Sequence, residues 1–439
     1  MNRSDDRPRA TAGPGTIFLD VSEMVVLDLR TGIQRVVREL LEHGLRGATG
    51  LQVVPVIAVG RHFHPLSDAG WQRIRSAGSG VGERRITHER GVHGLVRLGK
   101  RIAKAHAGAY NFLQRLYVRR LIRRGRGRDF YRPEPVGIGP GSALVLADSF
   151  WGGSSTLSAA RTAHEAGAHV VLMVHDLIPM SHPQFCDYRL VRKFEPLMRQ
   201  AVEVSHSVLA NSEFSATSFR EVFPEIEATA FPLGHSPQDG DAGLPGTWPA
   251  ALWDGDGRVF VIIGSIEPRK GHHAVLEAFE RRWARGERDK LLIIGKVGWE
   301  VDELMQRIDH HPQAGRRLFH IHNANDAMLT EALDRADAGI IAAFVEGFGL
   351  PLVECLSAGL PVVASDIPVF HEIAGDSALY FTPGDAAALD RAIDHLHARY
   401  AGQAARARAF TWPDWRKAAE VFYAKVEDRL HGPAAPRRF

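Results

Sequence analysis

The chain has only two cysteines, Cys186 and Cys355, in 439 residues. That excludes a disulfide framework and a cysteine-based metal site, and it favours a reducing compartment. Long apolar runs are missing too. Nothing approaches the ~18 consecutive apolar residues of a membrane-spanning helix. The opening MNRSDDRPRATAGPG carries acids and no apolar centre, so no signal peptide is expected there, and residues 1–15 read as a disordered lead. Net charge is small: 54 Lys and Arg against 51 Asp and Glu leave +3. Charge alone therefore indicates no acidic partner. No P-loop, HExxH zinc motif or nucleophile elbow occurs, and the histidines lie scattered without metal-ligand spacing. Gly78-x-Gly80-x-Gly82 and Gly137-x-Gly139-x-Gly141 lack the strand–turn–helix context of a dinucleotide fingerprint and read as loops.

What is present is ample apolar content, 45% of residues, and a length that suggests roughly two to three domains. Apolar runs of strand length alternate with helical spacings, the rhythm of a parallel α/β sheet. Strands are expected at 16–20, 51–59, 143–147, 169–174, 207–211, 258–263, 290–294, 318–321, 339–343, 362–365 and 378–381. The run 232–257 is rich in Gly, Pro and Asp and reads as an interdomain linker. The expected division is a first Rossmann-like domain over 16–235, a linker over 236–257, and a second such domain over 258–411. A crossing helix over 412–430 and a tail over 431–439 complete it.

Residues 62–135 interrupt the rhythm. From Arg97 to Arg128 there is no acid, and eleven Lys and Arg are interleaved with residues such as Leu98, Ile102, Phe112, Tyr117 and Ile122. This reads as a basic, partly amphipathic helical hairpin. Three readings stay open: an in-plane contact with an anionic membrane surface, a solvated basic face, and, without a recognisable fold for it, nucleic-acid binding.

The stretch 339–366 is the most informative. A short apolar run is followed by Glu346-Gly347-Phe348-Gly349-Leu350-Pro351, a helix with Pro351 near its start, and another apolar run. Glycines flanking Phe348 allow a ligand close to the backbone, and the helix N-terminus favours an anion. Glu346 lies before the helix and Glu354 about its first turn, so both can face the crevice at the sheet's carboxyl edge. A carboxylate beside an anion site suits hydroxyl partners. The combination suggests a diphosphate with many hydroxyls, a nucleotide sugar; the plainer reading is two solvated helix-end charges.

Glu346, Gly-Phe-Gly-Leu-Pro and Glu354 resemble the signature of the large retaining glycosyltransferase family 4, which has the GT-B fold and includes bacterial mannosyltransferases of polysaccharide assembly. The resemblance implies that Glu346 contacts the donor sugar, that Glu354 holds the nucleotide ribose, and that the backbone around Phe348, Gly349 and Leu350 meets phosphate and sugar. It extends to Gly264-Ser265-Ile266-Glu267-Pro268-Arg269-Lys270-Gly271, where Arg269 and Lys270 correspond to the diphosphate cations. Some relatives carry Arg where this chain has Ser265, and Arg269 is assigned that role. His175-Asp176-Leu177-Ile178-Pro179 resembles the HDLIP segment of the mannosyltransferase branch, where a His or Asp lies near the donor sugar. Gly32, in Thr31-Gly32-Ile33, matches the first-domain loop that approaches the donor phosphate; simple helix capping explains it as well.

The reaction implied is metal-independent retaining transfer from a nucleotide sugar, with GDP-mannose the first choice of donor. GDP-rhamnose and UDP-sugars remain open. The implied acceptor is a lipid-linked oligosaccharide at the cytoplasmic face of the membrane. Glu346, His175, Asp176 and Lys270 are the catalytic candidates. The triplet Asp254-Gly255-Asp256 matches the DxD of metal-dependent enzymes of another fold but falls in the linker. Rival readings are a non-catalytic nucleotide- or glycan-binding module on the same scaffold and a GT-B epimerase; a phosphorylase lacks its cofactor-lysine pattern.

Overall fold

A computed structural model describes residues 15–27, 31–76, 128–152, 155–236, 247–322 and 324–431. Most of the basic segment 95–128, the lead 1–14 and the tail 432–439 lie outside the described residues.

The first sheet contains β1 (Thr16–Asp20), β2 (Gln52–Val59), β3 (His62–Pro65), β4 (Ala143–Leu146), β5 (His169–Val174), β6 (Ser207–Ala210) and β7 (Ala228–Ala230). Its order is β3-β2-β1-β4-β5-β6-β7. Every pairing is parallel except β2 with β3. The second sheet contains β8 (Val259–Ile263), β9 (Lys290–Ile294), β10 (Leu318–Ile321), β11 (Ala338–Ile341), β12 (Val362–Ser365) and β13 (Ala378–Phe381). It is parallel throughout, in the order β10-β9-β8-β11-β12-β13.

These strands form because their apolar runs are buried on both faces, as a parallel sheet requires. β1 and β9 are buried at every position. Fully burying each Val, Leu, Ile or Phe contributes about 1.5–3 kcal/mol, enough to outweigh weak local preferences. One face of each sheet has its own core, around Phe194 and Phe219 in the first lobe and Phe260 and Phe279 in the second. A third apolar cluster runs continuously from Val36 and Leu40 through Phe422 and Tyr423 to Phe348 and Val353, joining the lobes.

Helix Trp415–His431 makes that junction. It lies against helix Gly32–Leu45, where the Tyr423 hydroxyl donates to the Leu40 carbonyl at 2.9 Å. A Cβ at Gly44 would stand 2.4 Å from that hydroxyl, so only glycine lets the two helices approach this closely. Arg429 donates to Thr229 at 2.7 Å. Where the chain crosses between lobes, His235 pairs with Asp414 and the Trp412 indole donates to the Leu233 carbonyl. Two doubly wound sheets, with a terminal helix returning to the first, constitute the GT-B architecture.

Several elements differ from expectation. The interruption after β2 begins with β3 and helix Asp68–Ser76. Helix Tyr188–Val204, which turns Phe194, Met198 and Ala201 inward, has no counterpart among the expected elements. Between β13 and the terminal helix the chain forms two helices, Ala386–Ala398 and Tyr400–Ala409. Residues 247–257 pack on the second lobe: Leu252 is fully buried and Trp248 donates to Glu331 at 2.7 Å. No helix among the described residues is long and apolar enough to cross a membrane.

The second lobe is stapled by a buried ion cluster. Arg282, 1% exposed, donates to Asp289 at 2.7 and 3.0 Å, to Asp390 at 3.0 Å and to Asp394 at 2.6 Å. Removing one partner of a buried ion cluster leaves uncompensated charge. Arg282→Ala is therefore expected to destabilise the protein by about 3–5 kcal/mol. Urea unfolding followed by tryptophan fluorescence measures this, and an unchanged midpoint would contradict it.

Candidate functional site

In each sheet the winding reverses direction once, and ligands of open α/β folds bind at that switch point, beyond the strands' carboxyl ends. The switch points fall between β1 and β4 and between β8 and β11. After β8 the chain makes a short turn over Pro268–Lys270, passes through Gly271 at φ 70°, and enters helix His272–Ala284. A Cβ at Gly271 would stand 2.1 Å from the Ala342 carbonyl, so both the turn and the contact with the β11 loop require glycine. After β11, Gly349 at φ 104° caps helix Leu350–Ser357. The Phe344 amide donates to the Arg269 carbonyl at 2.8 Å and ties the two loops together.

Those loops converge on Glu346, which is 8% exposed. Its carboxylate pairs with the Arg269 guanidinium at 2.9 Å and accepts from the Lys270 ammonium. Burial pushes its pKa up, but Arg269 and then Lys270 outweigh that and hold it at about 2. Arg269 also pairs with Glu267 at 3.1 Å. Burial works against the Arg269 charge, yet Glu346, Glu267 and Asp176 raise its pKa above the ordinary value. Asp176 faces this group from the first lobe. Burial raises its pKa, Arg269 opposes the rise, and one carboxylate oxygen accepts from the Ile178 amide at 3.0 Å.

His175 is buried, and its Nε2 donates to the Ala147 carbonyl at 2.9 Å, which leaves Nδ1 as the acceptor. Burial lowers its pKa to about 4, so the ring is neutral at pH 7. What His175 presents to the other lobe is its carbonyl: a Cβ at Gly347 would stand 2.1 Å from it. The Gly347 carbonyl in turn accepts from the Ser212 and Ser215 hydroxyls at 2.6 and 2.9 Å. Glu372 of the second lobe accepts from the Glu213 and Phe214 amides, both at 2.8 Å, at the start of helix Glu213–Val222.

Glu354 lies in the second turn of its helix rather than the first. Its carboxylate accepts from the Arg35 guanidinium of the first lobe. Gly32 opens helix Gly32–Leu45 one turn before Arg35, in open space on its Cβ side. That helix start is fixed at the first switch point: the buried Asp148 carboxylate accepts from the Gln34 amide at 2.8 Å and from the Met24 backbone at 2.6 Å. Phe348 is buried and packs edge-on against Trp412 at 5.8 Å, so it anchors the loop and leaves Gly349 and Leu350 at the helix start.

Glu346, Lys270, Arg269 and Asp176 are thus brought together, while Glu354 is held by Arg35 of the helix that Gly32 opens. Sequence reasoning missed Arg35, Ser212, Ser215 and Glu372 as cross-lobe contacts; only Ser212 carried a signal, as a helix cap. Among the described residues no cluster of His, Cys, Asp and Glu could hold a metal ion. In the Asp254-Gly255-Asp256 triplet, Asp256 pairs with Arg288 at 2.9 Å and the Asp254 carbonyl accepts from Lys290.

The Glu346 pairing has a pH signature. Its folded pKa lies below the ordinary 4.5, so the stability it confers is present above about pH 4.5 and is lost as pH falls toward about 2. Glu346→Gln is expected to remove that part of the acid limb, measured as the unfolding midpoint against pH. An identical acid limb in the variant would contradict the pairing.

The chain is similar to known proteins in sequence and in fold. Residues 249–408 match the family model "Glycosyl transferases group 1". The chain is 33% identical over 296 residues to the serotype-specific mannosyltransferase WbdA of Escherichia coli, covering 62% of this chain and 35% of that protein. It is 28% identical over 233 residues to the E. coli O-antigen chain mannosyltransferase B, covering 51% of this chain and 60% of that one. The chain thus spans about a third of the length of the WbdA relatives it matches. In fold it is similar to Anabaena Alr3699/HepE, solved in complex with UDP-glucose, at a TM-score of 0.59 and 15% identity, covering 94% of this chain and 99% of that one. Residues 249–408 thus carry the likeness to glycosyl transferases group 1, on a chain of GT-B architecture that is similar in sequence to mannosyltransferases.

Proposed function

We propose that this protein is a retaining glycosyltransferase that moves mannose from GDP-mannose to a hydroxyl of a lipid-linked oligosaccharide during bacterial surface-polysaccharide assembly. The observation that carries the proposal is the Glu346 carboxylate held between Arg269 and Lys270 at the second switch point, beside a glycine-capped helix start. It supplies two cations and backbone amides for a diphosphate, and an acid for sugar hydroxyls.

In the reaction the sugar C1–O bond to the diphosphate breaks and a new C1–O bond forms to the acceptor oxygen. Negative charge accumulates on the departing diphosphate. Arg269, Lys270, the Gly349 and Leu350 amides and the Gly32 amide stabilise it, an effect that grows in a site shielded from water. In this reading the leaving phosphate takes the acceptor proton. Glu346 orients the sugar, Asp176 and His175 bound the sugar site from the first lobe, and Glu354 holds the ribose after releasing Arg35.

Mannose is preferred because HDLIP and EPRKG resemble the mannosyltransferase branch, and because the matched relatives WbdA and the O-antigen chain mannosyltransferase B are named as mannosyltransferases. The basic segment 95–128 suits a peripheral position at the cytoplasmic membrane face, near a lipid-linked acceptor.

Glu346→Ala or Lys270→Ala is expected to lower turnover by about two to three decades, the loss typical of one preorganised transition-state contact. Glu354→Ala chiefly weakens donor binding. The assay is mannosyl transfer from GDP-mannose, with the product's anomeric configuration read by NMR. Wild-type rates in both Glu346→Ala and Lys270→Ala would overturn these roles, and an inverted product would overturn retention.

A further inference from the structure

His272 is the first residue of helix His272–Ala284 and is 2% exposed, yet neither ring nitrogen meets a hydrogen-bond partner among the described residues. Native proteins rarely leave a buried polar atom unpaired. The ring lines a cavity of about 10 Å³ at the second switch point. Lys270, Glu346 and Gly349 form other parts of its wall, and Ile262 and Ile340 close its apolar side. That space is about the size of one water molecule, and Lys270 and Glu346 in its wall carry polar groups of the kind that a water beside His272 needs. Nothing in the local sequence announces this, because His272 stands next to a second histidine at an ordinary helix start.

We propose that His272 is a positioning residue of the donor site, acting on the Lys270 ammonium through one water. The inference rests on the reading of Lys270 as a diphosphate cation. Burial and the Lys270 charge hold the His272 pKa at about 3, so the ring is neutral and keeps one lone-pair nitrogen as an acceptor. An ammonium has three N–H donors, and Glu346 occupies one of them. When Glu346 turns to the donor sugar, the His272-bound water keeps Lys270 directed at the diphosphate. His272 then sets donor affinity without touching the donor.

Isothermal titration with inorganic pyrophosphate and with GDP tests this, alongside the thermal unfolding midpoint. His272→Phe and His272→Leu remove both nitrogens. Each is expected to bind both probes about tenfold more weakly, the effect of losing one hydrogen bond to a charged group, with an unfolding midpoint at or above that of wild type. His272→Gln keeps a donor and an acceptor and is expected to stay within about threefold of wild type. Wild-type affinity in the folded apolar variants, or an equal loss in His272→Gln, overturns the role of His272 and leaves the donor site standing. A wild-type protein that binds neither probe overturns the donor-site reading, and this inference with it.

Discussion

A buried carboxylate between two cations is the constraint on which the site depends. Glu346 is nearly sealed from solvent, where an unpaired charge is expensive and a paired one is held firmly. Arg269 and Lys270 are adjacent in sequence on the β8 loop, Glu346 is on the β11 loop, and the two loops meet only because β8 and β11 are neighbours at the reversal of strand order. Sheet topology thus generates the charge cluster. In the proposed function, a diphosphate exchanges with Glu346 around the same cations, so the cradle never has to exist as bare positive charge. Glu267 adds a second acid on Arg269, which orients that guanidinium independently of Glu346.

The same loop is the point of contact between the lobes. The residue after Glu346 is Gly347, whose carbonyl takes both serine hydroxyls of the first lobe and whose Cα lies against the His175 carbonyl. Glu372 caps a first-lobe helix, and Arg35 reaches Glu354. In the proposed function, a rearrangement of Glu346 on donor binding would reach the lobe interface within one residue. Closure of two domains around a substrate excludes water and completes a site. In the proposed function the Arg35–Glu354 contact occupies the acid assigned to the ribose, so nucleotide entry and release of a cross-lobe contact would be the same event.

Much of this was legible in the chain. The strand runs, the motif Glu346-Gly-Phe-Gly-Leu-Pro and the pair Arg269-Lys270 are local patterns, and local patterns survive in a single sequence. Helix Asp326–Arg335 is marked locally by Asn325, which caps it, and by Arg335 in its last turn. Helix Tyr188–Val204 was obscured by Pro196 in its interior, although Phe194, Met198 and Ala201 keep helical spacing. The contacts of Arg35, Ser212, Ser215 and Glu372 join residues more than 130 positions apart, and no periodicity encodes such a pairing. His175 shows the opposite effect: the motif is local and plain, but the tertiary structure commits its Nε2 to the Ala147 carbonyl.

The most direct measurement is a crystal structure of the protein with GDP bound. The account predicts the pyrophosphate at the start of helix Leu350–Ser357, with Arg269 and Lys270 on its oxygens, the Lys270–Glu346 contact broken and the ribose on Glu354. A nucleotide bound elsewhere, with Glu346 still held between both cations, would contradict it.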